Sequence, residues 1–165
     1  MTSDPARFEA FLKLSSVLTD FPEFQLRGTG QAELYYTTAS GIVGDGVMDA
    51  LLEAFEAAGQ EARGDAAQFD KQMRVRILSD DKLGPVARNL IKLWYIGTWY
   101  QLPNAWRERF GVVGEDKTFI PSPYSYVEGL LWPAIGAHPP GAKAPGYGTW
   151  TEPPVIPEAI RLLKT

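Results

Sequence analysis

Cysteine is absent from this 165-residue chain, and histidine occurs once, at His138. The first absence excludes disulfides, thiolate-held metals and thiol nucleophiles. The second leaves a Ser-His-Asp triad with His138 as its only base, and no GxSxG elbow accompanies it. An excess of positive charge is also lacking: 16 Lys and Arg stand against 20 Asp and Glu, a net of −4. That balance argues against a nucleic-acid footprint, which needs a basic patch to neutralise phosphates. Long apolar runs are missing too, and none approaches the ~20 residues that span a bilayer. Met1 to Pro5 is acidic where a signal peptide is basic, no apolar stretch follows it, and no Arg-Arg pair occurs. The chain is therefore expected to be a mature form, a cytoplasmic protein, or one exported with a partner.

What is present suits one folded domain. Apolar residues make up 45% and charged residues 22%, enough to build a core. Asp4 and Pro5 suit a helix start, and Phe8, Phe11, Leu12 and Leu18 recur at helical spacing until Phe21-Pro22-Glu23-Phe24. A weaker helical stretch follows the Gly28-Thr29-Gly30 turn, through Glu33, Leu34, Tyr35 and Thr38. From Asp45, the residues Val47, Leu51, Leu52 and Phe55 make one face of a third helix, with Asp49, Glu53 and Glu56 opposite. Asp65 is placed to cap a fourth, with Phe69, Met73 and Ile77 four apart and Lys71, Arg74 and Arg76 outside. The longest helix is expected after Asp80-Asp81, apolar nearly all round in its later turns (Leu93, Ile96, Trp99, Tyr100), with Pro103 as its stop.

The second half differs in character. Nine of the 13 prolines lie from Pro121 onward, all five tryptophans lie between Trp94 and Trp150, and Thr118 to Thr151 holds one acid, Glu128, and one base, Lys143. Tyr124 to Trp132 reads as one short helix and the rest as an extended arm. No alternating strand pattern appears. The expected fold is all-α: an irregular bundle of about five helices over residues 1–117, with an extended, proline- and aromatic-rich arm over 118–165 packed on it and on a partner.

Chemical motifs are few. Asp80-Asp81 reads as a helix cap rather than a catalytic pair. Gly28-Thr29-Gly30 and Gly44-Asp45-Gly46 lack the rest of a phosphate loop and read as turns. The aromatics of the long helix suit either a small core or an interface, whereas the uncharged aromatic arm has the composition of an interface centre. The same rings also suit a small-molecule module that stacks a sugar or a flavin.

Four stretches, in order, carry a family resemblance: Phe11-Leu12-Lys13-Leu14-Ser15 with Leu18-Thr19; Leu90 to Gly97 (LIKLWYIG); Tyr126 to Trp132 (YVEGLLW); and Pro145-Gly146-Tyr147-Gly148-Thr149-Trp150 with Pro153-Pro154. Together they resemble the small (gamma) subunit of membrane-associated flavin-dependent sugar and polyol dehydrogenases. The resemblance implies a non-catalytic accessory subunit with no cofactor or metal of its own. It would bind and help mature a large subunit of the glucose–methanol–choline oxidoreductase type, which carries FAD and often an iron–sulfur cluster. A haem c cytochrome subunit would pass electrons onward, and the complex would be periplasmic. The residues expected at the partner interface are Trp94, Tyr95, Trp99, Tyr126, Trp132, Tyr147 and Trp150.

Overall fold

A computed structural model describes residues 4–140 and 142. They form an all-α fold, with no strand among the described residues. The helices are α1 (Pro5–Thr19), α2 (Glu23–Gly28), α3 (Ala32–Val43), α4 (Asp45–Ala62), α5 (Ala66–Met73), a π-helical turn (Arg74–Leu78), α6 (Leu83–Ile96), α7 (Asn104–Phe110), α8 (Pro123–Val127) and α9 (Leu131–Ala134).

The helix starts follow side-chain chemistry. Each helix leaves its first backbone N–H groups unpaired, and a short acidic side chain can accept from them. Asp4 accepts from the Ala6 N–H, with Pro5 in the first turn. Asp65 accepts from the Gln68 N–H at the start of α5. Asp80 Oδ1 accepts from both Lys82 and Leu83 at 2.8 and 2.7 Å, which makes it the functional cap of α6. Its neighbour Asp81 faces out and pairs with Arg109.

α1, α3, α4 and α6 enclose the core. Trp94 of α6 stands at its centre, edge-on to Tyr35 at 4.9 Å and stacked at 6.5 Å from Phe11. Around it close Leu12, Met48, Leu51 and Leu90, all without measurable exposure. α5 packs on α4, and Gln72 and Arg76 both reach Glu61. The basic side of this segment thus meets α4 at Glu61.

Three elements depart from the periodicity. α2 is a turn of helix where the pattern predicted only an ending, because Pro22 presets the backbone for a new start. The fourth helix changes pitch after Met73: the Ser79 N–H donates to the Arg74 carbonyl five residues back, the π spacing. The carbonyls of Ile77 and Leu78 then lie against Gly84, where a Cβ would come within 2.6 Å of the Leu78 oxygen. Among the described residues the longest helix is α4, with 18 residues; α6 has 14 and stops at Gly97, not at Pro103.

The α6 stop is a steric matter. Gly97 has φ +66°, a left-handed conformation that costs side-chain-bearing residues energy. A Cβ there would also collide with the backbone of Ser125. Beyond it the chain is extended, and Trp99 exchanges two backbone hydrogen bonds with Phe119, of 2.9 and 3.0 Å. Trp99 is fully buried, and its indole N–H donates to Asp116 Oδ1 at 3.0 Å. Asp116 Oδ2 accepts from the Leu102 N–H at 2.9 Å, and Arg107 lies 3.8 Å away. The turns expected to be apolar all round are therefore not helical beyond Ile96; Trp99 reaches the core from an extended strap.

Gly97→Ala combines backbone strain with a backbone collision. It is expected to cost about 2–3 kcal/mol of stability, read as a lower urea midpoint.

Candidate functional site

A face with exposed aromatic side chains is built by α2, α8 and α9. Its position follows from the end of α6. The Leu130 N–H donates to the Trp94 carbonyl at 3.0 Å. Gly129 lies so near the Tyr95 carbonyl that a Cβ would sit 2.7 Å from it. Ser122 caps α8 through the Ser125 N–H, and both hydroxyls donate to Gln31 Oε1, at 3.0 and 3.2 Å. Ser125 is wholly buried, so this polar bridge ties α8 to the start of α3 inside the protein.

With its backbone held inward, the segment turns its large side chains out. Tyr124 is 68% exposed, and Tyr126, Leu131 and Ile135 are exposed as well. Trp132 is half-buried: its indole N–H donates to the Tyr126 carbonyl at 2.8 Å, and its ring meets Tyr126 edge-on at 5.3 Å. Between this segment and α2 lies a groove of about 520 Å³, lined by Phe21, Phe24, Gln25, Val127, Leu130, Trp132 and His138, among others. Phe24 on its α2 side is 71% exposed.

The seven residues expected at an interface separate into three groups. Trp94 and Trp99 lie in the chain's own core, the other arrangement open to the aromatics of that helix. Tyr95 is half-buried; its hydroxyl donates to the Thr19 carbonyl at 2.7 Å and its ring meets Phe21. Tyr126 and Trp132 lie together on the exposed face. Tyr147 and Trp150 lie outside the described residues. Phe24 lines the same groove as Trp132 without having been expected there. The one local signal was the Phe21-Pro22-Glu23-Phe24 cluster, in which two rings flank a helix-starting proline.

The described residues assemble little reactive chemistry. They contain no group of three or more His, Asp or Glu placed to hold a metal. Ser122 and Ser125 share Gln31, an amide that cannot take their protons. Burial raises the pKa of Tyr35, Tyr36 and Tyr95, the direction opposite to an activated phenolate. No helix of the described chain is long and apolar enough to cross a membrane. No family model, curated protein or solved structure matches the chain.

Tyr35 supplies a test of this packing. Burial of its hydroxyl favours the neutral phenol in the folded state and outweighs a hydrogen bond with Ser125 that acts the other way. The unfolded chain ionises near pH 10. Tyr35 therefore contributes stability that is complete below that pH and is lost as pH rises toward the higher folded value. Tyr35→Phe removes the ionisable hydroxyl together with its Ser125 contact, so it is expected to change stability at neutral pH by no more than about 1 kcal/mol. It is also expected to flatten the alkaline loss, both read from urea midpoints at neutral pH and at about pH 10.5.

Proposed function

We propose that the chain is a non-catalytic small subunit that binds, stabilises and helps mature the flavin-dependent catalytic subunit of a sugar or alcohol dehydrogenase. The observation that carries this reading is the apolar surface of Phe24 and Trp132 in the groove between α2 and the α8–α9 segment, with the exposed Tyr126 ring against Trp132. Such rings supply most of an interface's energy when seated in a partner's pockets. The scarcity of reactive groups fits a chain whose chemistry resides in another subunit. Three of the four family-like stretches lie on α1, α6 and α8–α9, and these elements meet around Trp94. In this reading FAD, and an iron–sulfur cluster where there is one, belong to the large subunit. A haem c subunit receives the electrons, and the complex works in the periplasm.

Co-expression with the large subunit of a flavin-dependent sugar or polyol dehydrogenase is expected to yield a stable complex, with flavin absorbance only in the larger chain. Trp132→Ala is expected to weaken the complex by about 2 kcal/mol, roughly thirtyfold in Kd. Val75→Ala, an exposed apolar site on the π-helical turn, is expected to leave it unchanged. A chain that stays monomeric beside that dehydrogenase overturns the proposal.

The groove's volume favours a second reading, a module that binds a sugar or flavin ring directly, since it falls within the usual range for small-molecule sites. A rise in melting temperature of the isolated chain with glucose, sorbitol or FMN, abolished by Trp132→Ala, would select it over the first.

A further inference from the structure

A second concavity lies on the outer edge of α6, apart from the apolar face. It is a cleft of about 150 Å³ between α6 and the extended strap, with Arg88, Asn89, Lys92, Tyr100 and Gln101 in its lining. Its walls are fixed by a buried amide. The Asn89 Nδ2 donates to the Tyr100 carbonyl at 2.5 Å, and Asn89 Oδ1 accepts from the Tyr100 N–H at 3.1 Å.

The two cations of the cleft are held in place. Arg88 donates one Nη to the Leu78 carbonyl at 2.7 Å, and the Lys92 ammonium sits 4.9 Å from the centre of the Tyr100 ring. No carboxylate appears among the described lining residues, and neither cation forms an ion pair among the described residues. The nearby Asp116 is committed to Trp99 and Leu102, with Arg107 beside it. Two like charges one helical turn apart repel. A concave site that holds them there, in a chain of net charge −4, lowers its energy by taking an anion.

We infer that this cleft binds a small oxyanion of the phosphate class, as inorganic phosphate or a phosphoryl group. Arg88 offers its remaining N–H donors in a planar fork, Lys92 a point charge, and the strap a wall that limits ligand size. Carboxylates share part of this chemistry, so acetate serves as the competing arm.

The test is an NMR titration of the ¹⁵N-labelled full chain with sodium phosphate at constant ionic strength, chloride being the counterweight. Saturable shifts confined to residues 88–92 and 100–103, with millimolar Kd, are expected. Arg88→Gln and Lys92→Gln should each weaken binding by about tenfold, while Lys92→Arg keeps it. Both positions are exposed, and retained amide dispersion would confirm that each variant is folded. Non-saturating shifts, shifts elsewhere, binding that survives the paired Gln substitutions, or acetate binding as tightly as phosphate would each overturn the inference.

Discussion

The left-handed turn at Gly97 is the constraint on which the rest of the molecule depends. It stops α6 one residue after Ile96, so Trp94 and Trp99 enter the core from different backbones, one helical and one extended. It also leaves room for the Ser125 backbone, which lets α8 lie across the end of α6. Without that approach, Ser122 and Ser125 would not reach Gln31, and the exposed face would lose its scaffold. A backbone conformation with no side chain of its own thereby decides where the aromatic surface is.

A partner for the indole N–H does not by itself decide which tryptophans are buried. Trp99 and Trp106 give their indole N–H groups to Asp116 and to the Lys82 carbonyl, and both rings are buried. Trp94 is buried with no partner for its N–H, its ring held by Phe11 and Tyr35. Trp132 satisfies its N–H on the Tyr126 carbonyl within its own segment. That local bond costs no burial, so the indole stays at the surface beside Tyr126. A partner that covered both rings would gain apolar contact without having to replace a hydrogen bond, which is how a binding face differs from a piece of misplaced core.

Much of the fold was legible in the sequence because local chemistry set it. Asp4, Asp65 and Asp80 cap helices where short acids precede an apolar repeat, and the faces of α1, α4 and α5 follow their spacing. The misses share a different cause. The end of α6, the π turn and the pair α8–α9 depend on close backbone approaches: Ser125 against Gly97 and Tyr95 against Gly129 from segments far apart in sequence, and Leu78 against Gly84 across the turn between two helices. Periodicity within one segment carries no information about such approaches. The candidate face was half legible. Tyr126 and Trp132 stood out by composition, whereas Phe24 needed the folding of α2 against the α8–α9 segment to become part of the same surface.

By itself the sequence determined the helical class, most helix starts, and the poverty of reactive groups, since these rest on residue type and short-range spacing. Which aromatic residues are core and which are surface was decided only by the tertiary structure. Indole and phenol rings serve either environment, and the choice turns on which elements close over them once the chain has folded. For Trp94 and Trp132, drawn from segments of similar composition, that closure put one at the centre of the protein and the other on its exposed face.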